Sequence, residues 1–173
     1  MWMKFEANKS KAGLKDIIRI PFEVSEQFPS RGMVMLQVQM ENQKYVLPAE
    51  PDGLGSHWFE VEENHTKEYK VLKNGTLSIE VEVLVEWPEP SVPEDILDAF
   101  EQASVLTFWN TFTTKARWEW LRWIRSTNHT ETRNKRIQVA ISKMEQGSRR
   151  PCCFDGTRCT VPEVSKSGVL LSE

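Results

Sequence analysis

Thr132, Arg133 and Arg136 place a hydroxyl and two guanidinium groups at the start of a helical stretch, the arginines at i and i+3. A guanidinium fork takes a carboxylate or phosphate through paired N–H···O bonds, so this trio can seat an anion. The same arginines can instead pair with carboxylates of the chain itself. His57 is a second candidate, closing a G-x-G-x-H loop with Gly53 and Gly55. Glycines let a backbone approach a ligand closely, and an imidazole beside them can exchange a proton near neutral pH. The structural use of the same residues is a turn whose glycines take positive φ and whose histidine bonds a backbone group. Trp118, Trp120 and Trp123 lie beside Arg117, Arg122 and Arg125, an arrangement able to stack a base or a sugar. Helical spacing puts Trp120 and Trp123 on one face with Ile124, as core packing requires, and leaves Trp118 between that face and the flank.

Hydrolytic and nucleotide motifs are absent: the chain has no G-x-S-x-G, no H-E-x-x-H and no P-loop. Gly53-x-Gly55 lacks the following glycine and helix start of a dinucleotide fingerprint. No catalytic residue, metal ligand or cofactor is therefore assigned, and a binding protein is expected rather than an enzyme. Cys152, Cys153 and Cys159 crowd into eight residues, an odd number at a spacing unlike structural zinc sites. Free thiols of a reducing compartment are expected. No apolar run approaches the ~20 residues that span a bilayer. The start, MWMKFEANKS, has no secretory h-region, so the expected location is cytoplasmic.

A net charge of −3 conceals two opposed halves. Residues 41–102 carry 15 acidic and 4 basic groups, whereas residues 113–150 carry 10 basic and 3 acidic. The basic stretch can meet a small anionic ligand, a protein partner or a nucleic acid, or it can dock on the chain's own acidic half. Nucleic-acid binding is the runner-up, opposed by a pI near 5.7 and an acidic first half.

The elements that must position these residues change character near residue 88. Before it, Lys4–Ala7, Asp16–Ile20, Val34–Met40, Lys44–Leu47, His57–Val61 and Leu77–Trp87 read as strands, the last alternating apolar and polar. PFEVSEQF, from Pro21, reads as one or two helical turns, PAEPDGLGS as an irregular loop, Asn64–Leu72 as a short helix and Asn74-Gly75 as a tight turn. After WPEPSVP the pattern turns helical, starting at Pro93-Glu94-Asp95. A second helix is capped by Thr113 or Thr114, and a third starts near Thr130 and stops at Gly147. Strands followed by helices predict an α+β fold, with a β-domain over 1–88, a helical region over 92–148 and a loose tail over 149–173.

Two sets of motifs carry a family resemblance. Val92–Asp95 (VPED), Trp123–Ile124, the T-R-x-x-R of Thr132, Arg133 and Arg136, and the ending GSRRPCCFD resemble the YdeI/OmpD-associated, bacteriocin-protection family. Ile20–Val24 (IPFEV), the hairpin that follows, and G-x-G-x-H are similar to the domain of unknown function 1905. That second likeness implies a small β-barrel related to the double-split barrels of AbrB-like factors; three or four helices over residues 92–148 are expected to pack on it. The chain departs from the first family's pattern at Thr127, Asn128 and Thr130, where relatives commonly have an Ala-Lys pair and a proline. The resemblance implies a protein of antimicrobial-stress type. Its ligand, a small anion or a peptide, is expected at the barrel–helix junction around Gly55, His57, Trp118, Thr132, Arg133 and Arg136.

Overall fold

The structure, a computed structural model, describes residues 1–13, 15–40, 42–61, 75–127, 129–151 and 169–171. They fall into two compact units, one of residues 1–86 with 169–171 and one of residues 87–151. The helix expected over Asn64–Leu72, Asn74 of the tight turn, and Cys152, Cys153 and Cys159 lie outside the described residues.

The first unit is a closed barrel of six antiparallel strands, in the order β1-β2-β5-β4-β3-β6. In chain order they are β1 (Met3–Ala12), β2 (Lys15–Arg19), β3 (Val34–Met40), β4 (Gln43–Pro51), β5 (His57–Glu60) and β6 (Thr76–Val83), with a short helix α1 (Phe22–Ser25) after β2. Period-two alternation builds the interior: Leu77, Ile79 and Val81 of β6 point inward with Leu36, Val38 and Met40 of β3 and Ile18 and Phe59 of β2 and β5. Ser78, Glu80 and Glu82 stay partly solvated on the other face.

Three strands differ in length from the expectation by three residues or more. β1 runs on through polar Asn8–Lys11 because it changes partner, pairing β6 from Met3 to Asn8 and β2 from Lys9 to Ala12. Lys9 and Lys11 there both bridge Asp16, at 3.4 and 2.7 Å. β4 continues through Pro48 to Pro51, since Glu50 and Pro51 find partners in Trp58 and His57. β6 stops at Val83, where its register with β3 ends, and Val85 is exposed despite continuing the alternation. Ile17, Met35 and Trp58 are also buried, although their neighbours Ile18, Leu36 and Phe59 fill the interior, so β2, β3 and β5 are covered on both faces.

The second unit holds four helices among its described residues: α2 (Glu94–Gln102), α3 (Leu106–Trp109), α4 (Thr114–Arg125) and α5 (Thr130–Glu145). Ile96, Phe100, Trp109, Trp120, Ile124, Ile137, Ala140 and Met144 form their core. Local signals set the ends. Thr113 caps α4 by accepting the Ala116 N–H at 3.1 Å. Gly147, at φ 87°, closes α5 in a Schellman turn, with Ser148 N–H on the Lys143 carbonyl and Gly147 N–H on that of Met144. The same bonds end α2, from Val105 to Phe100 and from Ser104 to Glu101, but a serine at φ 60° takes the glycine position. The barrel and the helices make the fold α+β. No helix among the described residues is long and apolar enough to cross a membrane.

Candidate functional site

In the barrel, His57 opens β5 with its ring fully buried. Nε2 lies 2.8 Å from the Gly32 carbonyl, which can only accept, so Nε2 carries the proton. Nδ1 then accepts from Ser25 Oγ at 2.7 Å. The Phe28 ring tilts against the imidazole at 5.2 Å between centroids. Burial holds the His57 pKa below the ordinary histidine value, Arg31 adds to the shift, and the Gly32 bond and Asp52 oppose it. His57 is thus a neutral, fully bonded strut between α1, the loop before β3, and β5.

Gly55 belongs to the loop that turns β4 into β5. Asp52, a residue the sequence reading passed over, organises this loop: one carboxylate oxygen accepts the N–H groups of Leu54 and Ser56 at 2.8 and 2.9 Å. Asp52 N–H in turn bonds the Ser56 carbonyl at 2.9 Å. The signal was present in Pro51-Asp52-Gly53, an aspartate turn with a following glycine. Gly53 and Gly55 take φ 78° and 97°, as such a turn demands. Arg31 fastens the loop from the other side, donating to the carbonyls of Gly55, Ser25 and Phe28.

In the helical unit, the family-like motifs meet. Arg133 of α5 grips Asp95 of the VPED motif with two bonds, Nε to Oδ2 at 2.9 Å and Nη2 to Oδ1 at 3.0 Å. Arg133 holds the Asp95 carboxyl below the usual carboxylate range. Arg136 turns instead to the end of α4, donating to the Trp123 carbonyl at 2.7 Å and to Ser126 Oγ, with its guanidinium 5.6 Å from the Trp123 ring centroid. It satisfies one of the carbonyls that a helix C-terminus leaves without partners, where a cation is also favoured. VPED, Trp123-Ile124 and T-R-x-x-R are therefore stitched together by two arginines. Thr132 is half-buried beside them, and the two guanidinium groups face different partners.

Trp118 donates its indole N–H to the Pro88 carbonyl at 2.7 Å. Arg117 next to it holds Glu89 through Nε at 3.0 Å and through Nη2, and depresses the Glu89 pKa. Trp120 is fully buried, donating to the Arg149 carbonyl at 3.0 Å. Arg149 in turn bonds Thr111 Oγ1 at 3.0 Å and lies over Phe108. Much of the basic charge of residues 113–150 is thus engaged inside its own unit.

A groove of about 410 Å³ runs between α2 and α5, lined by Asp95, Ala99, Asn134, Lys135, Ile137 and Gln138. Asn134 and Gln138 sit one turn apart on α5 and are exposed. The Lys135 ammonium makes no ion pair among the described residues. The sequence reading missed this groove, since its polar residues resemble an ordinary solvated helix face.

Residues 89–147 match the model of the family described as Bacteriocin-protection, YdeI or OmpD-Associated. The match spans α2 to α5 and contains the Asp95–Arg133 and Arg136–Trp123 links, so the helical region is similar to that family. The likeness of the barrel to the domain of unknown function 1905 lies outside those residues and rests on its motifs alone. None of the curated proteins matches the chain.

Proposed function

We propose that this chain is a non-enzymatic binding protein of the bacteriocin-protection type, and that its ligand seat is the groove between α2 and α5. The observation that carries this reading is the groove's position wholly within the residues similar to the family. Its size falls at the lower end of the range for ligand pockets, ~300–1,000 Å³. The chemistry of the lining favours a short peptide segment bearing a carboxylate. Asn134 and Gln138 offer paired amide donors and acceptors to a peptide backbone, Ala99 and Ile137 give a small apolar floor, and Lys135 supplies the countercharge. Arg133 and Arg136 act here as supports, fixing α5 against α2 and α4, where the sequence alone left ligand contact and pairing within the chain both open.

The test is a titration of the ¹⁵N-labelled chain with a capped tripeptide ending in a free carboxylate, followed through backbone amide shifts. Shifts centred on Asn134, Lys135 and Gln138, weakened about tenfold by Lys135→Glu, are expected. A folded protein with no shift there at millimolar peptide, or an unchanged affinity in Lys135→Glu, overturns the reading.

A further inference from the structure

We propose that the outer face of β1, β6, β3 and β4 is a stacking platform for a neutral oligosaccharide, with the Trp2 indole as its floor. Met3 pairs with Val81, so the same register sets Trp2 opposite Glu82. Glu82 pairs with Gln37, and Gln37 with Val46, which completes a row across four strands. The adjacent row runs from Lys4 through Glu80 and Gln39 to Lys44. Alternation turns both rows away from the barrel core. Trp2 precedes β1 and Lys44 belongs to β4, yet the Lys44 ammonium lies 5.2 Å from the Trp2 ring centroid. On this face β6 and β3 lie between them, so the indole and the lysine stem reach toward each other over those two strands. The indole is thus laid along the wall, and Trp2 remains 36 % exposed.

The fold leaves two polar groups of this face unused. Neither the Trp2 indole N–H nor the half-buried Gln37 amide has a hydrogen-bond partner among the described residues. Trp58, Trp118 and Trp120, by contrast, each give their indole N–H to a backbone carbonyl. The charges of the face are balanced within it: the Met1 ammonium sits 2.8 Å from Glu82 Oε1, and Lys4 Nζ 3.8 Å from Glu80 Oε1. Such a surface offers no net field to a charged ligand, and the phosphates of a nucleic acid would meet Glu80 and Glu82. A paired carboxylate still has lone pairs for hydroxyl donors. An open aromatic face, a free amide, spare carboxylate acceptors and balanced charge together fit a pyranose. Its axial C–H bonds lie flat on an indole, while its rim hydroxyls both donate and accept. Sugars whose ring substituents are all equatorial, β-linked glucose and N-acetylglucosamine, present that apolar face most fully. Three strand spacings of ~4.8 Å separate β1 from β4, a span that suits a di- or trisaccharide. Lys44 is exposed and holds the ring by a weak cation–π contact, so it steadies the empty platform and yields to a stacked sugar. The platform lies in the barrel unit and is independent of the α2–α5 groove.

The experiment titrates the full-length ¹⁵N-labelled chain with cellotriose and with chitotriose, following the Trp2 indole and Gln37 side-chain amide signals. Saturable shifts centred on these two groups are expected at millimolar concentrations of at least one sugar. Trp2→Ala is expected to weaken binding about tenfold or more, as loss of a stacking surface does. Trp2→Tyr, which keeps a flat ring, is expected to stay within about fivefold of the wild-type chain. Gln37→Leu is expected to weaken binding about threefold or more. Sorbitol, which has the hydroxyls but no ring face, is expected to leave both signals in place. A folded chain whose Trp2 and Gln37 signals move with neither sugar overturns the proposal, as does an unchanged affinity in Trp2→Ala or an equal response to sorbitol. Salt-sensitive shifts at these residues with a short oligothymidylate, and none with sugar, would assign the face to nucleic acid and overturn it too. If Trp2→Ala fails to fold, Trp2→Tyr and Gln37→Leu carry the test, and equal affinities in Gln37→Leu and the wild-type chain overturn the proposal.

Discussion

Ser25 Oγ donates to His57 Nδ1 across 2.7 Å, and both side chains are fully buried. The imidazole is therefore held in one tautomer, its Nε2–H on the Gly32 carbonyl. Protonating Nδ1 would put a charge into a site that favours the neutral ring and would turn its acceptor into a donor facing a hydroxyl.

The barrel is accordingly expected to lose stability in mild acid. The folded-state pKa of His57 is depressed by burial, with Arg31 adding to the shift and Asp52 opposing it. Its unfolded value is about 6.5. Above 6.5 the ring is neutral in both states and its contribution is complete. As pH falls from 6.5 through the lower folded value, the unfolded chain binds the proton first, and stability drops. Urea unfolding at pH 7.5 and 5.5 measures this, and His57→Gln is expected to shrink the difference between the two. Ser25→Ala, which leaves a buried acceptor without its donor, is expected to cost about 1–3 kcal/mol at pH 7.5.

Ser104 occupies the left-handed position that ends α2, at φ 60°. A side chain in that conformation costs roughly 1–2 kcal/mol, from which the greater freedom of glycine in the unfolded chain must be deducted. Ser104→Gly is therefore expected to stabilise the protein by about 0.5–1 kcal/mol, seen as a raised urea midpoint with an unchanged m-value. Ser104→Val is expected to do the opposite.

Arg133 and Arg136 are expected to differ although they sit one turn apart. The Arg133–Asp95 pair is open to solvent, with the Asp95 side chain 49 % exposed, and such pairs contribute at most about 1 kcal/mol. Arg136 is more enclosed and serves the end of α4, so Arg136→Ala is expected to cost about 1.5–3 kcal/mol, the range for hydrogen bonds from a charged donor. Arg136→Lys is expected to recover little, because an ammonium cannot span Trp123 and Ser126 as the fork does. Raising salt should erase most of the Arg133→Ala effect and little of the Arg136→Ala effect.

Much of this architecture was legible in the chain. Strict alternation at Leu77, Ile79 and Val81 located β6, and the 3.6-residue spacing of Ile137, Ala140, Ile141 and Met144 located the buried face of α5, because both periods follow from local geometry. Thr113 and Gly147 announced helix ends for the same reason. The polar half of β1 could not be read locally, since its strand character is imposed by β2. α3 is a single turn whose four residues are too few to show a period. The destinations of the arginines were hidden by distance: Asp95 lies 38 residues from Arg133, and Trp123 lies 13 from Arg136. Spacing showed that two guanidinium groups share a helix start, but the opposing carbonyl and carboxylate come from the tertiary fold.

The return of β6 to β1 fixes when the barrel can exist during synthesis. Met3 pairs with Val81, so the ring of strands stays open until the chain has grown past β6. Before then β1 and β3 each present an edge of unpaired backbone groups, the surface through which nascent chains associate wrongly. Contacts so remote in sequence also form slowly compared with those of a helical bundle. The vulnerable interval in this protein's production is therefore governed by the emergence of residues 76–83, and substitutions that weaken β6 should lower soluble yield more than their effect on the finished barrel suggests.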